Sequence, residues 1–166
     1  LPQFPPLNDL DCIPHVPMGV RLAQVMSYIA VLHFFGSQKR SDTRKHPVIC
    51  LPTGMGKSLT ALMVPFQIAK RRTIIIAPTL AILRGYQNYF PTEGNSLLET
   101  CGLLPNEVVK QIRVLFWLTE CRNPIPSNCS NINDPNRCNK LQEAHLIIIT
   151  YQSLRSLVKV ISNVCE

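Results

Sequence analysis

Hydrophobic positions along this chain fall into blocks whose period switches between the helical and the extended. Over residues 18–35, Val20, Leu22, Ala23, Val25, Met26, Ile29, Ala30, Leu32 and Phe34 recur at helical spacing, which predicts a buried helix ended by Gly36. Residues 46–51, His-Pro-Val-Ile-Cys-Leu, are a short apolar run expected to form a strand with Cys50 in the core. Helical spacing returns over 59–70, with Pro65 inside it expected to kink or shorten the helix. Residues 72–77, Arg-Thr-Ile-Ile-Ile-Ala, form a β-branched run that predicts a parallel strand buried on both faces. A helix is expected over 80–90, a loop or short helix over 91–104, and a strand over 112–118 within an ambiguous stretch. Residues 144–150 repeat the buried-strand signal and 151–164 the helical one. Strands alternating with helices imply a doubly wound α/β fold around a parallel sheet, joined by right-handed connections.

The punctuation sets the domain limits. Residues 1–17 hold five prolines and read as an extended lead-in, and 18–166 read as one partial domain. Within it, residues 119–143, rich in Asn, Pro, Ser and Cys, lack periodicity and are expected to be an irregular insertion. A first residue of Leu1 and a last of Glu166 suggest a piece of a longer protein.

Composition narrows the picture. With 46% hydrophobic and 16% charged residues the chain has enough apolar material for a core, which argues against disorder throughout. No apolar run approaches the ~18 residues of a membrane span. An intracellular protein with no membrane partner is expected, nuclear if eukaryotic. The net charge of +7 suits a phosphate-rich partner, although Lys39-Arg40, Arg44-Lys45 and Lys70-Arg71-Arg72 equally suit a solvated loop and a helix C-terminus. Seven cysteines cannot all close into disulfides, and Cys101, Cys121, Cys129 and Cys138 lack zinc-ribbon spacing. Free thiols are expected there, with a metal site completed by His145 as the alternative.

The candidate chemistry is concentrated at residues 51–58, Leu-Pro-Thr-Gly-Met-Gly-Lys-Ser. Gly54 and Gly56 let the backbone turn tightly and aim N–H groups inward, Lys57 reaches terminal phosphates, and the Ser58 hydroxyl can ligate Mg²⁺. Strand, glycine loop and helix form the required context, and the helix N-terminus adds its partial positive charge. The general phosphate-loop pattern asks for glycine at the first position, where this chain has Leu51. A glycine-rich turn with an incidental lysine is the plainer alternative. The strand ends at Leu51, at 77–79 (Ala-Pro-Thr) and at 149–152 (Ile-Thr-Tyr-Gln) should lie along one sheet edge, where ligands of such sheets bind.

Taken together, these segments resemble the first RecA-like domain of superfamily 2 helicases, the DEAD/DEAH-box group with its RecQ and restriction-translocase relatives. Residues 52–58 resemble motif I, 77–80 (Ala-Pro-Thr-Leu) motif Ia, and 148–154 (Ile-Ile-Thr-Tyr-Gln-Ser-Leu) the strand end that precedes the acidic box. Residues 21–24, Arg-Leu-Ala-Gln, are similar to the Arg-x-x-Gln element through which such enzymes recognise adenine. The resemblance implies ATP and Mg²⁺ as cofactors, bound by Arg21, Gln24, Pro52, Thr53, Gly54, Met55, Gly56, Lys57, Ser58 and Leu59, with Lys57 and Ser58 catalytic and Ser58 the metal ligand. It implies a nucleic-acid strand, DNA in preference to RNA, held by Pro78, Thr79, Thr150, Tyr151 and Gln152, with Arg84 within reach. It also implies a second RecA-like domain as partner. No Asp-Glu-x-His or Asp-Glu-Ala-Asp box occurs in the 166 residues, so these residues alone are expected to hydrolyse ATP very slowly. Other readings are a P-loop kinase or switch ATPase, and a degenerate helicase remnant serving as a binding module.

Overall fold

The computed structural model describes residues 19–37, 46–68, 72–91, 94–121 and 124–164. The expected lead-in over 1–17 and the basic groups at 39–45 and 70–71 lie outside these. Among the described residues four strands form one parallel sheet in the order β1-β4-β2-β3, from β1 (Thr73–Ala77), β2 (Val114–Trp117), β3 (Cys129–Ser130) and β4 (Leu146–Thr150). The helices are α1 (Leu22–Ser37), α2 (Lys57–Ile68), α3 (Leu80–Gln87), α4 (Leu97–Thr100), α5 (Asn106–Gln111), α6 (Arg137–Glu143) and α7 (Leu154–Val164).

β4 is the centre of the sheet and all five of its residues are buried. Successive side chains point to opposite faces, so Leu146 and Ile148 join one core while Ile147 and Ile149 join another. The first core gathers Tyr28 of α1, Leu59, Leu62 and Met63 of α2, Leu83 and Tyr86 of α3, and Phe116. The second sets Leu115 and Trp117 against Leu141 of α6 and Leu157 and Val160 of α7. Trp117 is fully buried, and its ring N–H donates to Ser156 Oγ at 2.7 Å, fastening α7 across β2.

Several expectations need correction. Residues 46–50 form no strand, Val48 is 84% exposed, and Cys50 is exposed rather than in the core. An apolar run becomes a strand only where a neighbour completes its hydrogen bonds, and Pro47 brings no donor. β1 was expected to be buried on both faces, yet Ile74 and Ile76 are 44% and 48% exposed because, among the described residues, β1 is an edge strand paired only with β4. Gly36 does not end α1, which continues to Ser37. The stretch expected to be irregular contributes β3 and α6.

That stretch is ordered by short polar links. Phe116 N–H donates to Asn128 O at 2.8 Å and Leu118 N–H to Ser130 O at 2.9 Å, which adds β3 to the sheet. The Asn131 side chain accepts from Asn133 N–H and the Asp134 carboxylate from Asn136 N–H, both at 2.9 Å, leading the chain into α6. Lys140 of α6 reaches back to Asp134 Oδ2 at 2.9 Å and Cys129 O at 2.8 Å. Burial pushes the Asp134 carboxyl up, but hydrogen bonds from Lys140, Asn136 N–H and Ser130 outweigh it and hold the group below the usual carboxylate range. Among the described residues no group of three or more His, Cys, Asp or Glu side chains could hold a metal ion. His145, the conjectured ligand, accepts instead from Arg113 N–H at 2.9 Å.

Candidate functional site

The glycine loop turns through two residues of positive φ, Gly54 at 80° and Gly56 at 78°. A side chain is disfavoured there because Cβ collides with the following carbonyl oxygen. Gly56 has a second constraint: a Cβ on it would stand 2.2 Å from Gln24 Nε2. That amide donates to Gly56 O at 2.9 Å, while Gln24 Oε1 accepts from Arg21 N–H at 2.8 Å. The Arg21 guanidinium in turn donates to Gly54 O. The start of α1 therefore clamps the loop through its carbonyls. Arg21 and Gln24, expected at adenine, touch the loop itself.

The Lys57 ammonium donates to the carbonyls of Leu51 and Pro52, each at 2.9 Å. Both partners are neutral, so its charge is left for an anion. α2 begins at Lys57; the N–H groups of Leu59 and Thr60 donate to Gly56 O at 3.0 and 3.2 Å, which leaves those of Lys57 and Ser58 at the helix start without an acceptor within the helix. Two glycines at positive φ, a cation held only by carbonyls and a helix N-terminus fit a triphosphate, and the Ser58 hydroxyl beside them fits its magnesium. Pro52 and Thr53 are exposed at the loop, Met55 donates its N–H to Pro52 O at 3.3 Å, and Leu59 is buried in the core beneath.

A second group of residues lies at the carboxyl edge of the sheet. Thr79 caps α3, its hydroxyl accepting from Ile82 N–H at 3.3 Å. Tyr151 N–H donates to Ala77 O at 3.1 Å and joins the ends of β1 and β4. The Thr150 hydroxyl donates to Ser153 Oγ at 3.0 Å, and Thr119, just beyond β2, shares a further hydroxyl bond with Ser153. Between these strand ends lies a 410 Å³ cleft lined by Thr79, Leu80, Arg84, Leu118, Thr119, Glu120, Thr150, Gln152 and Ser153. The structure thus brings Thr79, Arg84, Thr150 and Gln152 to one cleft. Pro78 is exposed just before the cap, and Tyr151 faces a neighbouring groove. Thr119, Glu120 and Ser153 were not foreseen, because only the strand order puts β2 beside β4.

The two groups are bridged by α3, whose N-terminal cap belongs to the cleft. Near its other end Tyr86 is buried in the core shared with α2. Burial pushes the Tyr86 phenol up, and a hydrogen bond with the Ser58 side chain pulls it back.

A parallel sheet with helices on both faces, a glycine loop at a helix N-terminus and polar strand ends define a P-loop domain of the RecA-like kind. Residues 18–164 match the family model of the type III restriction enzyme res subunit, and the chain belongs to that family, whose domain is the N-terminal RecA-like domain of superfamily 2 helicases. No curated protein and no solved structure matches the chain. Family membership makes this an ATP-binding domain of the helicase type.

Proposed function

We propose that this chain is the ATP-binding lobe of a helicase or translocase that acts on DNA and, in the intact protein with a second RecA-like domain, couples ATP hydrolysis to movement along a strand. The observation that carries the reading is the pairing of a clamped phosphate loop with a hydroxyl-lined cleft at the carboxyl edge of one sheet. Gly54, Gly56 and the first turn of α2 would cradle the phosphates, Lys57 would leave its carbonyls for the terminal phosphates, and Ser58 would ligate magnesium. Bound ATP would supply the phosphoanhydride whose cleavage drives the movement. Thr79 and Thr119 offer hydroxyls suited to phosphate oxygens, contacts that position a strand without reading its sequence, and Thr150, donating to Ser153 Oγ, fixes the strand-end turn between them. DNA is favoured over RNA on the resemblance of the Tyr-Gln-Ser-Leu segment to RecQ and restriction translocases.

The test is binding of a fluorescent ATP analogue with Mg²⁺ to the wild-type chain and to Lys57→Ala. Loss of about tenfold or more in affinity is expected for the variant, since the lysine contributes a charge-assisted contact of about 1.5–3 kcal/mol. Equal binding by both proteins, or none by the wild type, refutes the nucleotide site.

A further inference from the structure

Beside the strand-end cleft, and sharing Gln152 with it, runs an 890 Å³ groove along α7 lined by Ile132, Tyr151, Leu154, Arg155, Ser156, Val158 and Lys159. Three observations point to what it holds. Tyr151 projects from the turn after β4 and is 71% exposed, a large ring face without cover. Arg155 and Lys159 are both exposed and four residues apart, so they rise one above the other ~6 Å apart along the helix. No acidic residue lines the groove, while Ile132 and Val158, 40% and 55% exposed, give it an apolar floor. An aromatic platform beside a cationic stripe over apolar surface matches the chemistry of single-stranded nucleic acid, whose bases stack while its phosphates track positive charge. The ~6 Å between the two cations is about the rise of two stacked nucleotides at ~3.4 Å each.

We propose that the α7 groove is a second strand site, in which Tyr151 stacks a base and Arg155 and Lys159 hold the phosphates of a single strand emerging from the cleft past Gln152. This rests on the strand-binding reading above and extends its footprint from the sugar-phosphate backbone to the bases. An apolar groove of this kind also suits a protein segment, but the two unopposed cations and the continuity with the cleft favour the strand.

The experiment is fluorescence anisotropy of labelled oligo-dT, from about 4 to about 16 nucleotides, titrated with the 166-residue chain at several salt concentrations. Wild-type affinity is expected to rise with length. Tyr151→Ala is expected to bind the longest strand about tenfold more weakly, as one lost stack implies, and the shortest like wild type. The pair Arg155→Gln with Lys159→Gln should flatten the slope of log affinity against log salt by about 1.4, at ~0.7 per phosphate. These side chains are exposed, so folding should be retained, and circular dichroism checks it. Thr150→Val serves as the comparison within the cleft. If it weakens all lengths while the groove variants match wild type, the groove proposal is overturned and strand binding in the cleft stands. If the wild type binds no strand at low salt, both are overturned. If groove variants leave strand affinity intact and Val158→Lys instead dissolves a self-associated form in sedimentation, the groove holds a second copy of the chain, which also overturns the proposal.

Discussion

The loop clamp predicts that two neighbouring glycines, alike in backbone conformation, differ sharply in what they tolerate. At Gly54, φ is 80° and a Cβ would meet nothing within 4 Å, so Gly54→Ala carries only the cost of left-handed backbone, about 1–2 kcal/mol. At Gly56 the same cost applies, but the new methyl would stand 2.2 Å from Gln24 Nε2. The amide must swing away, breaking its bonds to Gly56 O and Arg21 N–H, and because Gln24 is 3% exposed no water replaces them. Leaving such a buried amide unpaired adds about 1–3 kcal/mol. Gly56→Ala should therefore cost about 3 kcal/mol against about 1.5 for Gly54→Ala, the gap being roughly tenfold in the folding equilibrium. Urea unfolding followed by Trp117, the one tryptophan, measures both. Combining Gly56→Ala with Gln24→Ala removes the collision, so the glycine substitution in that background should cost no more than at Gly54. If the two single variants are equally stable, or if Gln24→Ala brings no relief, Gln24 does not clamp the loop.

The remaining predictions concern charged groups around the sheet. Lys140→Met leaves the Asp134 carboxylate, 2% exposed, without its cation and should cost about 3 kcal/mol in thermal or urea unfolding; Asp134→Asn together with Lys140→Met should recover part of that loss. The His145 imidazole is pushed down by burial and then by the Arg113 and Arg72 guanidiniums. Its folded pKa lies below the ordinary value of 6.5, so the unfolded chain binds more protons between the two. The stability this group contributes should be complete above about pH 6.5 and decline as pH falls below it. His145→Asn, which keeps an acceptor for Arg113 N–H, should flatten that decline in unfolding measured from about pH 8 to about pH 5; an unchanged pH profile refutes the assignment.

What could be read from the sequence was the information that is local. The β-branched runs at 72–77 and 144–150 formed strands, because three successive isoleucines in each leave few alternatives once helices cover them. The glycine loop was legible for the same reason: its conformation is dictated by residues within it. Strand order, in contrast, is non-local. Nothing in residues 46–51 says whether a free sheet edge awaits them, so an apolar run read as a core strand remains exposed. Nothing in 72–77 says that β1 is an edge, so Ile74 and Ile76 read as buried although they are not. Thr119 and Glu120 were invisible as cleft residues for the same reason. The 119–143 stretch misled differently: its Asn and Asp residues signal turns individually, but Asp134 also recruits Lys140, six residues on, and Lys140 reaches Cys129 O as well, so the pair ties α6 to β3.

The local and non-local parts meet in α3, which caps at the cleft and packs into the same core as α2, the helix that begins at the phosphate loop. Thr79 gives α3 its N-cap and lines the cleft, and seven residues on, ~10 Å along the helix, the Tyr86 phenol meets Ser58 at the head of α2. A two-turn helix packed on β1 and β4 has little room to bend, so a displacement at its cap would be carried to its far end as a rigid shift. The hydroxyl that would hold magnesium belongs to α2 and the hydroxyl that would meet the strand caps α3, two helices packed into one core. A core shared by the two helices is the route by which occupancy of one site would alter the geometry of the other, and the coupling would be read as a change in nucleotide affinity when a strand is added.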